Sequence, residues 1–298
     1  MSIAEESLVD CHVHFWDLKH KDLRYGWLAP DAVHPILGDI DAIKSVRYDA
    51  DSFHAESRFA GVSAAVHVQA AVGTTDPVVE TTWLTTMAES SVVPFVIIAG
   101  ADLSAAGVRH QLERHSVSRL LRGIRDNGRS GYLHDPAFRC GVGLLAEFGL
   151  VLDLDCSWED MVTARDLALD NPSTTIVLEH IGYPRDTVGE EYLANWRSGI
   201  EAIAQASNVY CKISGLGMNR AGWSVAGLVP WVEHCINAFG PDRCVFGSNW
   251  PVDRLWGSYD SYATAFRQLI SHHTPDDQRL MLNGVAERIY RISEVSPG

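Results

Sequence analysis

Short apolar segments alternate with longer amphipathic segments along almost the whole chain. Eight apolar segments are rich in Val, Ile and Leu and have the length of buried strands, at residues 7–14, 62–70, 92–99, 120–125, 149–155, 175–180, 208–214 and 244–249. Helical spacing of apolar residues marks the segments between them, at 77–90, 104–117, 135–148, 157–170, 189–206, 224–239 and 258–272, and a final helix is predicted at 275–292. A helix between two strands lets them pair in parallel. Eight such repeats predict an α/β fold that closes into a distorted (β/α)8 TIM barrel.

A doubly wound open sheet has the same alternation of strands and helices and is the alternative fold. Neither G-x-G-x-x-G nor G-x-x-x-x-G-K-[ST] follows a predicted strand, which disfavours this fold and nucleotide binding. In the barrel interpretation, residues 1–298 form a single domain. The segment at about 17–57 is the long insertion. Because it follows the first strand, we expect it to lie over the C-terminal mouth of the barrel as a lid or a subunit contact.

Charge and composition narrow the range of partners. The formal net charge of -14 argues against a nucleic-acid partner, because phosphate binding needs clustered Lys and Arg. The N-terminus lacks the basic and apolar segments of a signal peptide, and no apolar run approaches the ~20 residues of a membrane helix, so a soluble cytoplasmic protein is expected. The six cysteines are scattered without a C-x-x-C pair, which is typical of buried reduced thiols.

Two histidines lie two residues apart in the first predicted strand. Side chains alternate between the faces of a strand, so His12 and His14 should point the same way, about 6–7 Å apart. Burying two neighbouring imidazoles is unfavourable unless a metal ion or an acidic partner compensates. The pair could therefore hold one metal ion or one substrate oxygen, and His180 at the end of the sixth strand could join it.

Other polar residues follow the predicted strands, where (β/α)8 barrels place their catalytic groups. Asn249 ends the eighth strand and Asp253 lies in the loop after it, whereas His67 stands alone on the second strand and is expected to be a core histidine. Arg122 and Arg125 could form structural ion pairs, but cations at strand ends should favour an anionic substrate. The predicted substrate-binding residues are Trp16, Gln69, Arg122, Arg125, Lys212 and Trp250.

The sixth strand carries His180 and Glu179, and only one of these side chains can point to the barrel axis. Strand alternation places His180 on one face with Ile176 and Leu178, and Glu179 on the opposite face with Val177. If His180 faces the barrel axis, Glu179 faces the helices. We therefore expect Glu179 to have a structural role and not to be a ligand.

Six motifs in chain order carry a family resemblance. They are D-x-H-x-H-F-W-D at 10–17, L-R-Y-x-W-L at 23–28, R-G-I-R at 122–125, V-L-E-H-I-G-x-P at 177–184, K-I-S-G-L at 212–216 and F-G-S-N-W-P-V at 246–252. With them the chain resembles the amidohydrolase superfamily, of the amidohydrolase 2 type, over nearly its whole length. The motifs are most similar to the branch of sugar-acid lactonases and 2-pyrone-4,6-dicarboxylate lactonases. The resemblance implies a barrel of the metal-dependent-hydrolase type that opens the lactone ring of a carboxylated or polyhydroxylated small molecule.

The chain departs from the general superfamily pattern at three strand ends. The fifth strand ends without a histidine, and the fourth offers Arg125 in place of a metal-bridging Lys or Glu. Both departures fit the lactonase branch, in which metal dependence is reduced or absent. The eighth strand carries Asn249 where the family commonly has a catalytic Asp, and a neutral amide cannot act as a general base. Either another group takes the proton from water, namely Asp253, His180 or one of the pair His12 and His14, or the activity is weak.

The leading hypothesis is a lactone hydrolase in which water attacks the ring carbonyl. In this hypothesis His12, His14 and His180 are catalytic and could hold a single Zn²⁺ ion, and Asn249 and Asp253 complete the catalytic group. A metal-independent enzyme is also consistent with the pattern. The partner is expected to be a small anionic or polyhydroxylated substrate, and a homo-oligomer stays open. The alternatives are a non-oxidative decarboxylase of an aromatic acid and a weakly active barrel that binds a small anion.

Overall fold

The computed structural model describes residues 6–34, 37–128, 130–185, 189–218 and 222–295. Within these ranges the strands are β1 (Leu8–Val13), β2 (Trp16–Asp17), β3 (Arg47–Tyr48), β4 (Val62–Val68), β5 (Phe95–Gly100), β6 (Leu121–Arg125), β7 (Val151–Leu154), β8 (Ile176–Leu178), β9 (Val209–Ile213) and β10 (Cys244–Phe246). β1 and β4 to β10 form an eight-stranded sheet in which each strand pairs in parallel with the next along the chain. The backbone N–H of His14 donates to the carbonyl of Trp250 at 2.8 Å, which joins the end of β10 to β1. The predicted (β/α)8 barrel is therefore confirmed.

Helices surround the barrel in the order that the sequence predicts. In the described ranges they are α1 (Ala50–Ser57), α2 (Val78–Ala88), α3 (Val108–His115), α4 (Pro136–Glu147), α5 (Met161–Asp170), α6 (Glu190–Ile203), α7 (Val225–Phe239), α8 (Tyr259–Leu269), α9 (Pro275–Arg279) and α10 (Val285–Tyr290). The side chains of Asp135 and Thr274 accept hydrogen bonds from first-turn N–H groups, and a proline follows each, which explains where α4 and α9 begin. The predicted final helix is α9 and α10, joined by a π-helical turn at Leu280–Gly284.

Alternate residues of the barrel strands point inward and outward. The outward residues form the large apolar core beneath the helices. The inward residues form a smaller cluster with α10 that includes Val9, Cys11, Val66, Val151, Val177, Val245, Ile289 and Tyr290. This alternation decides which polar side chains of a strand reach the barrel interior.

The insertion after β1 is fixed by hydrogen bonds within itself and to the rest of the chain, and its predicted place over the barrel mouth stays a prediction. β2 and β3 pair antiparallel, and the indole N–H of Trp16 donates to the carbonyl of Ser45 at 2.9 Å. The backbone N–H of Gly26 donates to the carbonyl of Val72 at 3.0 Å, which fixes the position of the adjacent Trp27. Residues 35 and 36 of the insertion lie outside the described ranges. Its role as a lid or subunit contact stays a prediction.

Two sequence predictions concern the environment of the protein. No helix in the described ranges combines the length and the apolar composition that crossing a bilayer requires, and the cytoplasmic location stays a prediction. All six cysteines are free thiols. Five of them are buried as predicted, whereas Cys140 on α4 is exposed.

Candidate active site

A cavity of about 350 Å³ opens at the C-terminal ends of the barrel strands. This is the end at which (β/α)8 enzymes assemble their active sites. Imidazole, guanidinium, carboxylate, amide and aromatic groups line it, from His14, Trp27, His34, Leu37, Gln69, Val72, Arg125, Asn127, Asp155, His180, Tyr183, Met218, Asn249 and Val252. Five of the predicted site residues meet in this wall: His14, Gln69, Arg125, His180 and Asn249.

His12 and His14 form a buried imidazole pair whose Nε2 atoms are 3.1 Å apart. The Nδ1 atom of His14 lies 2.8 Å from the carbonyl oxygen of Val68, which can only accept, so His14 carries its proton on Nδ1 and a lone pair on Nε2. Burial lowers the pKa of His14 to about 3 and that of His12 well below its usual value. Both rings are therefore neutral at pH 7, and their Nε2 atoms converge as the spacing predicts.

Asp10 holds this pair in position. Its carboxylate accepts hydrogen bonds from the backbone N–H groups of His12 at 3.1 Å and Ser248 at 2.8 Å, and from the hydroxyl of Tyr259 at 2.8 Å. Burial raises the pKa of Asp10, and these donors oppose that rise. Since Ser248 directly precedes Asn249, a single carboxylate ties the histidine strand to the segment after β10.

Glu179 points into the barrel, and the prediction that it faces the helices was wrong. Its Oε2 atom lies 2.7 Å from Nη2 of Arg125, and its Oε1 atom lies 3.8 Å from Nδ1 of His12. Val177 belongs to the inward cluster, so the alternation was right but its two faces were exchanged. The hydroxyl of Tyr183 donates to Glu179 at 3.2 Å and accepts from Arg125 at 3.2 Å. A buried carboxylate, a guanidinium and a phenol thus form one wall of the site.

His180 reaches the cavity because the chain leaves β8 in an unusual conformation. His180 and Ile181 have φ values of 51° and 49°, in the left-handed region that residues other than glycine rarely adopt. The turn brings Nδ1 of His180 to 2.8 Å from the hydroxyl of Ser214, with its ring centroid 4.4 Å from that of His12. Such backbone conformations concentrate at functional sites, where the surrounding structure holds them. Burial lowers the pKa of His180 well below its usual value, so this ring too is neutral.

Asn249 is held by Asp253, which lies behind it. The amide nitrogen of Asn249 donates to Oδ1 of Asp253 at 2.9 Å, and the backbone N–H of Gly217 donates to Oδ2 at 3.0 Å. The amide oxygen of Asn249 is not engaged by Asp253, and Asn249 lines the cavity together with His14. Burial raises the pKa of Asp253 to about 7, against these hydrogen bonds. Asp253 is buried and absent from the described cavity wall, so its geometry suits a positioning residue better than the predicted general base.

Arg122 lies at the opposite end of the barrel, and its predicted contact with substrate is corrected. Its guanidinium donates to the carbonyls of Arg119 at 2.7 Å and Arg291 at 3.3 Å and pairs with Glu294 at 3.2 Å. The physical reason is alternation: Arg122 and Arg125 are three residues apart on β6, so only one of them can point inward.

Lys212 is buried inside the barrel and does not line the described cavity. Its ammonium group pairs with Asp153, and the hydroxyl of Tyr290 donates to the other carboxylate oxygen at 3.2 Å. Burial raises the pKa of Asp153, and the Lys212 ammonium opposes that rise. The predicted direct contact of Lys212 with substrate is corrected, because its ammonium group is buried against Asp153 inside the barrel.

Trp16 and Trp250 are also buried outside the described cavity wall, contrary to their predicted contact with substrate. Trp16 packs edge-on against Trp27, with ring centroids 5.7 Å apart, and so supports a tryptophan that does line the cavity. The indole N–H of Trp250 donates to Glu56 at 2.6 Å.

Several residues of the cavity wall were not predicted from the sequence. Trp27 and His34 come from the insertion, where no regular spacing shows which side chains turn inward. Tyr183 follows the left-handed turn, which strand alternation does not describe. Asp155 ends the fifth predicted strand, and its position there could have identified it from the sequence. Burial raises the pKa of Asp155 to about 6, and the charge of Arg125 opposes that rise.

The histidine pair has the character of a metal site. If His12 carries its proton on Nε2, it can donate that proton to Nε2 of His14. The Nδ1 lone pair of His12 then faces Oε1 of Glu179, and neither Nδ1 nor Oε1 has a hydrogen-bond partner among the described residues. With the proton on Nδ1, two Nε2 lone pairs meet at 3.1 Å. A cation between them removes that repulsion, and zinc–nitrogen bonds of about 2.0–2.1 Å place tetrahedral ligands roughly 3.3 Å apart. The donor set therefore fits a divalent transition-metal ion.

A second group of possible ligands lies on the other side of His12. Ligand atoms of His12, Asp153 and Glu179 all lie within 4.8 Å of one another. Each carboxylate already has a cation, Lys212 or Arg125, and these would repel a metal ion. The Nε2 side, where neutral imidazoles converge, is the better fit.

The chain is similar to known proteins along nearly its whole length. A sequence profile of the Amidohydrolase family matches residues 9–292. The chain is 33% identical to the uncharacterized protein y4mH of Sinorhizobium fredii, over 97% of this chain and 100% of that protein. It is 27% identical to L-fucono-1,5-lactonase of Burkholderia multivorans, over 96% of each. A solved amidohydrolase structure from Burkholderia multivorans with bound Zn has a TM-score of 0.80 at 24% identity, over 96% of this chain and 99% of that chain, and shares the fold.

Proposed function

This chain belongs to the amidohydrolase family, and on that premise we propose that it hydrolyses the lactone ring of a small carboxylated or polyhydroxylated molecule. The Burkholderia multivorans relative named L-fucono-1,5-lactonase supports this class of substrate. One observation carries the proposal: the Nε2 atoms of His12 and His14 converge to 3.1 Å, and His14 lines the same cavity as Arg125. A metal ion held between these Nε2 atoms, near the fixed positive charge of Arg125, would suit a carbonyl that gains negative charge as water attacks it.

His12, His14 and His180 would hold a single metal ion in this proposal. Zinc in catalytic sites commonly has three protein ligands, and these imidazoles are neutral and close together. Zn²⁺ is also the ion in the Burkholderia multivorans structure of the same fold. Such an ion, when bound, supplies Lewis-acid polarisation of the ring carbonyl. Behind His12, Glu179 would accept from Nδ1 and so orient the ring.

Arg125 and Asp155 supply the remaining chemistry. The Nε atom of Arg125 is buried without a hydrogen-bond partner among the described residues, so it can donate to a carboxylate or a developing oxyanion of the substrate. Asp155 is a carboxylate in the described cavity wall, and with a pKa of about 6 it is mostly ionised at pH 7. We assign it the role of the base that takes the proton from water, in preference to the buried Asp253.

The amide of Asn249 would orient the attacking water without accepting its proton. Asp253 engages the amide nitrogen, which leaves the oxygen as the atom offered to the site. Gln69 and Asn127, which hydrogen-bond to each other in the cavity wall, would bind the hydroxyl groups of a sugar-derived ring.

The test is lactone hydrolysis by protein prepared with EDTA and then supplied with Zn²⁺. L-Fucono-1,5-lactone and a carboxylated pyrone lactone are supplied in a pH-indicator assay, with His14→Ala as the site variant and His110→Ala, an exposed histidine on α3, as its control. We expect turnover by wild type and His110→Ala and its loss in His14→Ala. Release of CO₂ from 2,6-dihydroxybenzoate would favour the decarboxylase alternative. Saturable binding of a lactone acid without turnover would favour the anion-binding alternative.

A further inference from the structure

A second cluster of metal-type ligands lies in the helical layer. Glu233 is on α7, and His272 and His273 are in the loop between α8 and α9. Nε2 of His272 is 3.3 Å from Oε2 of Glu233, and Nε2 of His273 is 3.9 Å from Oε1. One ligand atom from each residue lies within 4.8 Å of the others. None of the three lines the candidate active site as described.

Two of these ligand atoms are buried and unsatisfied. Nε2 of His273 and Oε1 of Glu233 have no hydrogen-bond partner among the described residues. Buried polar atoms without partners are rare, because each loses its hydration without compensation. The side chain of His272 is 58% exposed, so the cluster can be reached from solvent. The cluster therefore combines two buried ligand atoms without partners with one imidazole that solvent reaches.

The loop that carries the two histidines is held in place by its own contacts. The side-chain amide of Gln278, on α9, donates to the carbonyls of Ser271 at 3.1 Å and His273 at 2.7 Å. The backbone N–H of His273 donates to the carbonyl of Ile270 at 3.0 Å. The imidazoles are therefore presented by a fixed backbone, and binding an ion would order little that is not already ordered.

We propose that Glu233, His272 and His273 bind one divalent transition-metal ion of the Zn²⁺ class, separately from the active site. Two imidazoles and a carboxylate are a donor set that zinc uses, with water completing four-coordination. The N···O separations of 3.3 and 3.9 Å need only small side-chain rotations to reach the roughly 3.3 Å between ligands of a tetrahedral zinc ion. The bound ion ties α7 to the loop before α9, so it stabilises the outer layer of the barrel.

The experiment is calorimetric titration of EDTA-treated protein with Zn²⁺, combined with thermal unfolding. His273→Ala and Glu233→Gln remove one ligand each, and His110→Ala removes an exposed histidine elsewhere. Loss of a direct ligand should weaken this site at least ~10-fold, since even indirect partners of ligands contribute 10–100-fold. We expect both variants to lose one class of Zn²⁺ site and the associated rise in Tm, while His110→Ala keeps both. His14→Ala should keep this class of site, and His273→Ala should keep the lactonase activity.

Zn²⁺ titrations of His273→Ala and Glu233→Gln that match wild type would overturn the proposal. So would a crystal grown with Zn²⁺ whose anomalous map shows no peak between the three side chains. Unfolding of each variant in EDTA at the wild-type Tm shows that a lost site is not a lost fold. The result is independent of the proposed reaction, because the titration requires no turnover.

Discussion

The substitution Glu179→Gln tests whether the buried carboxylate of Glu179 compensates the charge of Arg125, because it removes one charge and keeps the shape of the side chain. Glu179 is fully buried, and its partner Arg125 is 12% exposed, at 2.7 Å. Gln leaves the guanidinium buried without its nearest counter-charge. Removing one partner of a buried ion pair costs about 3–5 kcal/mol.

That loss is large against the whole stability of a domain, about 5–15 kcal/mol. At a few degrees per kcal/mol, the Tm should fall by on the order of 10 °C. The same substitution at the exposed pair of Arg109 and Glu147, 2.9 Å apart with side chains 49% and 55% exposed, is the matched control. Glu147→Gln should cost at most about 1 kcal/mol, because solvent screens the pair.

The assay is urea and thermal unfolding of the two variants and wild type at pH 7.5, together with kcat. Glu179→Gln should also reduce kcat, because His12 loses the carboxylate that orients its Nδ1. Equal Tm values for Glu179→Gln and Glu147→Gln would refute the reasoning that the buried carboxylate compensates Arg125.

Four further predictions concern three side chains in or behind the cavity wall. Asp253→Asn should lower kcat and leave KM nearly unchanged. The amide oxygen and nitrogen of Asn cannot both accept the hydrogen bonds that the two carboxylate oxygens now accept from the N–H groups of Gly217 and Asn249. Activity equal to wild type across pH 5 to 9 would contradict this. Asp155→Asn should reduce kcat by at least ~10²-fold and abolish the rise in wild-type kcat as pH increases through about 6, measured by pH-rate profiles. The pKa of Asp155 is raised in the folded state, so the stability that this group contributes is present below about pH 4 and is lost as the pH rises to about 6. Over that interval the free energy of unfolding of Asp155→Asn, measured with urea, should rise relative to that of wild type by up to about 3 kcal/mol. Trp27→Ala should raise KM more than it lowers kcat, and an unchanged KM would remove Trp27 from substrate binding.

The sequence predicts the barrel well because its strands are buried on both faces. Such strands appear as continuous apolar runs, and the helices between them keep their own spacing, so the positions of β1 and β4 to β10 follow from patterning alone. The convergence of His12 and His14 follows from the period of a strand in the same way. Boundaries shift by a few residues where strand ends fray into loops.

The sequence fails where the backbone leaves a regular period. Glu179 was placed on the wrong face because the inference ran from His180, whose left-handed turn, not the strand, carries it to the mouth. Alternation alone shows that Arg122 and Arg125 cannot both point inward, since their spacing is odd, but it does not show which of the two does. Trp27 enters the cavity through long-range hydrogen bonds of the insertion, which no local pattern encodes.

The most direct test of the account is a comparison of wild type with His14→Gln in the hydrolysis of L-fucono-1,5-lactone and other polar lactones, in the presence of Zn²⁺. Wild type should accelerate hydrolysis well above the uncatalysed rate, and His14→Gln, although folded, should not. No acceleration with any of these polar lactones, or equal rates for the two proteins, would contradict the proposed lactonase.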